Sequence, residues 1–170
     1  MPAGLKKTSD IVTISSRVTE TAANTFTQNQ VDLQLDVLNR EVFVVVAVDL
    51  NPAPADAIAG VDTSTQGCIS TTSRTTMGFL DNTNVIATGE NAIRAANFAD
   101  GGVLLQQSSL DTPPAALDYV GIIATNDFFI SIQGNNNATP KAMAVRVWGY
   151  RAQASADIFA ALTQSELLSA

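Results

Sequence analysis

Val42-Phe43-Val44-Val45-Val46-Ala47-Val48-Asp49-Leu50 is the stretch on which the fold turns. Its β-branched residues show no helical period and are apolar on both faces, which predicts a strand covered on both sides, the most buried of the fold. Upstream, in residues 26–38, Val31, Leu33, Leu35 and Val37 alternate with Asp32, Gln34 and Asp36. That period of two is a half-buried strand with a wet face. Asn39-Arg40-Glu41 between the two stretches predicts a hairpin.

Further strands follow outward from this pair. Residues 11–18 (Ile-Val-Thr-Ile-Ser-Ser-Arg-Val) read as a strand or an extended arm, and 69–79, 103–107 and 119–124 as strands. Asp111-Thr112-Pro113-Pro114 separates the last two, since proline cannot sit in a central strand. Residues 51–65, with Pro52, Pro54 and Gly60, read as a long surface loop. Residues 91–100 suit a short helix. Phe128-Phe129-Ile130-Ser131-Ile132-Gln133 and residues 143–151, joined by Gly134-Asn135-Asn136-Asn137-Ala138-Thr139-Pro140, read as a long-looped hairpin with Ile130, Ile132, Val145 and Val147 facing the core. Ile158, Ala161, Leu162 and Ser165 then follow helical spacing, with Thr163-Gln164-Ser165-Glu166 as a capping box for a final turn.

The fold class is therefore all-β, a jelly roll or β-sandwich of about eight antiparallel strands, with an up-and-down barrel as second choice. One domain over 1–170 is expected: an N-terminal arm (1–20), a sandwich (21–153) and a C-terminal helical tail (155–170).

Only 15% of the 170 residues are charged, where globular domains carry about a quarter. Thr, Ser, Asn and Gln replace them. Contact surfaces between proteins are poor in Lys, Glu and Asp because ions are costly to desolvate, so this composition points to extensive subunit contacts. Nine basic against 16 acidic residues leave a net charge of −7, which argues against coating nucleic acid. No apolar run is long enough to cross a bilayer, and polar residues follow Lys6-Lys7 where a signal peptide would be apolar.

There is no histidine, and Cys68 is the single cysteine. The usual general base, the Ser-His-Asp and Cys-His nucleophiles, and the zinc and iron–sulfur ligand sets are all missing. Phosphate-cradling glycine motifs are missing too. No catalytic residue, cofactor or metal ligand is assigned. Carboxylate chemistry needs only an Asp or Glu pair, but Glu20, Glu41 and Glu166 fall beside turns or in the tail, and Asp32 and Asp36 on a wet strand face, as solvated groups. A calcium site among Asp49, Asp56 and Asp62 is the remaining metal option. Asn137-Ala138-Thr139 matches the N-glycosylation acceptor, although the asparagine run reads first as a turn. Arg146, Trp148 and Tyr150 share one strand face, an aromatic stripe able to stack a sugar ring or a neighbouring subunit. The narrow stripe Ile158, Phe159 and Leu162 wants an apolar partner, and a neighbouring subunit is the expected one.

With its extended arm, the strand series through residues 128–151 and the terminal helix over 155–168, the chain resembles the small single-jelly-roll major capsid proteins of tailless icosahedral viruses of bacteria and archaea. The resemblance implies a virion protein made and assembled in the host cytoplasm, forming pentamers or hexamers whose termini tie neighbours together. It also implies other virion proteins as partners and an underlying lipid membrane, which suits the acidic balance. A phage decoration or tail-associated protein, and a carbohydrate-binding β-sandwich using Trp148, Tyr150 and a loop calcium, are the competing readings.

Overall fold

A computed structural model describes residues 3–96, 105–110 and 117–168. In it β10 (Ala142–Ala154) runs through the middle of one sheet. β1 (Leu5–Lys7) and β2 (Val12–Thr19) lie end to end along one side of it, and β4 (Glu41–Pro52) lies along the other. β8 (Gly121–Ile123) pairs with β4. We call this sheet A. Sheet B has the order β3 (Thr27–Asp32), β9 (Asp127–Asn135), β5 (Thr63–Ser70), β6 (Val85–Arg94) and β7 (Leu105–Leu110).

The antiparallel pairs are nested: β2 with β10, β3 with β9, β4 with β8, and β5 with β6. A chain doubled on itself in this way and rolled up, so that β10 meets β4 and β9 meets β5, is a jelly roll. Its core lies between the sheets and includes Phe43, Val45, Ile69, Ile123, Phe128, Ile130, Ile132, Met143, Val145 and Val147.

A second apolar cluster sits on the outside of sheet A. Leu5, Val42, Val44, Ala124, Tyr150, Ala152 and Ala154 form it, and α1 (Ala156–Leu168) packs over it. This explains why β4 is apolar on both faces only in its first half. Val42 and Val44 face the helix, Phe43 and Val45 face the core, and Val46 is an extra residue with no partner between the pairs Val45–Gly149 and Ala47–Trp148. Beyond this bulge Val48 is only half-buried and Asp49 is exposed. β5 is therefore the more continuously buried strand, a correction to the expectation for residues 42–48.

Both predicted hairpins are absent. β3 pairs with β9 and β4 with β10 and β8, so the turn at 37–40, a 3-10 turn over Val37–Asn39 followed by Arg40 with φ of 55°, carries the chain between sheets. Likewise β9 belongs to sheet B and β10 to sheet A, although Ile130, Ile132, Val145 and Val147 all reach the core. Alternating apolar residues fix which face is buried and not which strand lies alongside.

Strand β5 stops at Ser70, and 71–84 is an irregular loop, where the sequence suggested a strand to 79. Residues 91–94, read as helix, finish β6. Ala95 and Ala96 follow the strand without helix, and residues 97–100 and Asp111 to Pro114 lie outside the described residues. The proposed capping box is interior to α1: the Thr163 hydroxyl donates back to the Phe159 carbonyl at 2.9 Å. Residues 1–20, read as an arm, hold β1 and β2, with Leu5 and Val18 buried in the two clusters.

Candidate functional site

Because β10 alternates, Ala144, Arg146, Trp148, Tyr150, Ala152 and Ala154 all point out of sheet A. The aromatic stripe expected here is divided by α1. Tyr150 is buried beneath the helix, with Lys7 Nζ 5.2 Å from its ring centre, and burial followed by the nearby Asp118 carboxylate raises its phenol pKa. Trp148 is half-buried and Arg146 exposed, with the guanidinium 5.9 Å from the indole. What remains open is one cation–π pair and no run of stacked rings.

Ile158, Phe159 and Leu162, expected at a subunit contact, are partly buried against the chain's own sheet A. The nearest available apolar surface was intramolecular, because the outer face of β4 and β10 is apolar too. Along the same helix Phe159, at the edge of that contact, joins Ala160, Thr163, Gln164, Leu167 and Leu168 in lining an open, apolar groove. Exposed large apolar side chains recur elsewhere, with Leu38 at 96% on the 37–40 turn and Phe79 and Leu80 on the 71–84 loop.

The opposite feature, a buried polar network, joins three loops at one end of the sandwich. Glu20, expected to be solvated, is buried, and its two oxygens accept the backbone N–H groups of Gly134 (2.6 Å) and Lys141 (2.7 Å). Lys141 Nζ pairs with Asp56, whose other oxygen accepts from the amides of Ala138 and Thr139 and from the Thr139 hydroxyl. The Lys141 bond dominates in holding the Asp56 carboxyl below its ordinary pKa. Asn137 is buried, donating through Nδ2 to the Ser64 carbonyl and accepting the Asp56 amide, so the glycosylation tripeptide is a structural corner. Sequence reasoning missed this network, because only the Asn run, with its preference for turns, hinted that residues 134–140 were specifically folded.

The calcium option loses its ligands in the same way. Asp56 is committed to Lys141 and Thr139, and Asp62 accepts the amides of Ala95 (2.7 Å) and Ala96 (2.9 Å), which lead in lowering its pKa. Asp49 is exposed on β4, whereas Asp56 and Asp62 lie in the loop after it. Among the described residues no group of three or more His, Cys, Asp or Glu side chains converges. Asp32 and Asp36 are exposed as expected, whereas Glu41 is half-buried in an ion pair with Arg151 at 2.8 Å. Cys68 is fully buried under the 71–84 loop, and desolvation raises its thiol pKa. Among the described residues no helix is long and apolar enough to cross a membrane.

Among known proteins, no family model matches this chain, and no curated protein matches it. Among solved structures the chain is similar to one from Desmodium yellow mottle tymovirus, at 8% identity and a TM-score of 0.30, over 91% of this chain and 93% of that one. So distant a likeness carries no inference about what the chain does.

Proposed function

We propose that this chain is a non-catalytic structural protein of a virion, one that self-associates, together with other virion proteins, into a shell assembled in the host cytoplasm. The observation that carries the reading is the character of the surface: a jelly-roll sandwich with 15% charged residues that leaves Leu38, Phe79, Leu80, Leu167 and Leu168 exposed at separate places around one unit. Large apolar groups exposed on several sides suit a subunit with several neighbours better than a monomer with one ligand. The net charge of −7 fits a shell kept from its genome by lipid or by another protein. The carbohydrate reading is weakened by the burial of Tyr150, which breaks its platform.

Electron microscopy of the chain purified from its natural source, with light scattering of the recombinant protein, tests the proposal. A regular lattice and multimers are expected. A species that stays monomeric at high concentration and is recruited by no partner overturns the reading.

A further inference from the structure

Glu166 occupies an odd position. In a helix, residues four apart share a face, so Ile158, Leu162 and Glu166 form one line along α1. The first two pack on sheet A, and Glu166 follows them with only 7% of its surface exposed. Leu167 and Leu168, which the helix turns onto other faces, are exposed at 69% and 79%. An acid has been placed where a leucine would hold the helix more firmly.

Its hydrogen bonding is incomplete as well. Oε1 accepts the Ala124 amide at 3.0 Å, from the turn between β8 and β9, but Oε2 is buried without a partner. The neighbouring Thr125 hydroxyl is directed at the Asp127 carbonyl (3.0 Å) and the Thr71 carbonyl (3.4 Å). An ionised carboxylate here exchanges water for the Ala124 bond and the weaker donors of Thr125, whereas the neutral acid avoids most of the cost of desolvation.

We propose that α1 is a pH-governed latch: with Glu166 neutral it lies closed on sheet A, and with Glu166 ionised its C-terminal turns lift from the β8–β9 turn. The charged groups around this face are Asp127 at the start of β9, Asp118 ahead of β8, Lys7 on β1 and Asp157 in the first turn of α1. Asp127 acts on Glu166 directly and, being of like charge, favours the neutral acid. Burial is the larger cause of the raised pKa, and the donors of Ala124 and Thr125 offset part of it. Since the closed state has the higher pKa, closure is strongest below the ordinary glutamate value of 4.5 and weakens as pH rises through the raised one. Opening uncovers part of the apolar cluster around Val44, Tyr150 and Ala124.

Hydrogen exchange of the full chain between pH 4 and pH 8, corrected for the pH dependence of intrinsic exchange, tests the latch. Protection of residues 158–168 is expected to fall about fivefold or more across this range, while β9 stays constant. Glu166→Gln keeps an acceptor for Ala124 without a charge, and Glu166→Leu completes the apolar stripe. Protection of α1 in both should be independent of pH and, at pH 8, at least that of the natural chain. Equal protection of α1 in the natural chain at both pH values overturns the proposal, as does a fall of natural size in both variants.

Discussion

Gly149 faces the core from the middle of β10, and the chain cannot accommodate so much as a methyl group there. A Cβ at this position would stand 2.5 Å from Phe43 Cε1, 2.6 Å from Phe43 Cζ and 2.5 Å from the Val44 carbonyl oxygen. Phe43 is 1% exposed and enclosed by the core, and the carbonyl belongs to the adjoining strand. Neither yields cheaply. Overpacking of this kind costs about 1–3 kcal/mol, and the backbone contact puts Gly149→Ala near the upper end. Removing glycine from the unfolded chain returns about 0.4–1 kcal/mol, leaving a net loss of about 2–3 kcal/mol. With a urea slope of about 2 kcal/mol per molar, the unfolding midpoint should drop by roughly 1–1.5 M. Gly121→Ala is the control, because its Cβ would meet Ile86 at an ordinary 3.4 Å, and its midpoint should move by less than about 0.5 M. Shortening the opposing ring should relieve the clash, so Gly149→Ala should cost less in a Phe43→Leu background. A Gly149→Ala protein as stable as the natural chain would refute the packing described for sheets A and B.

Three further outcomes can be checked with simple measurements. Asp56→Asn should lower stability at pH 7 by about 1–3 kcal/mol in chemical denaturation, because Lys141 loses its partner. The native Asp56 carboxyl titrates below its ordinary 3.8, so this difference should shrink only as pH falls beneath that value and vanish below the native one. Cys68 should resist a thiol reagent in the native protein and react on unfolding; rapid native labelling would show that the 71–84 loop does not cover it. Deleting residues 156–170 should leave a protein that is still β-rich by circular dichroism, because the core between the sheets is separate, but that binds a hydrophobic dye through the uncovered Val42, Val44 and Tyr150.

Much of the strand content could be read from side-chain alternation, and the pairing could not. Ile130, Ile132, Val145 and Val147 announce their core-facing sides because burial of one face imposes a period of two. Nothing local in residues 134–140 says that the chain is leaving one sheet for the other. That is decided by Glu20, Asp56 and Asn137, which come from elsewhere in the sequence and tie the corner in place. The same limit applied to Ile158, Phe159 and Leu162, whose apolar stripe was visible but whose partner was not. Glu20 and Glu166 looked solvated because a carboxylate beside a turn normally is, and their burial depends on backbone amides far along the chain.

The nested pairing also sets a timetable for synthesis. Val12 must wait for Gly149, and β1 for the end of the same strand, so most of sheet A cannot assemble until β10 has left the ribosome. At about 5–20 residues per second the interval between β2 and β10 is on the order of 10 s, and for several seconds of it, until β8 emerges, β4 has neither β8 nor β10 beside it. The innermost pair, β5 with β6, needs no such delay and can form first, giving the outer strands a platform on which to close. A nascent chain that carries Val42-Phe43-Val44-Val45 unpaired for that long is exposed to association with its own siblings on the same message. In cells, slowing translation between β4 and β10 should therefore lower the soluble yield more than slowing it after residue 154.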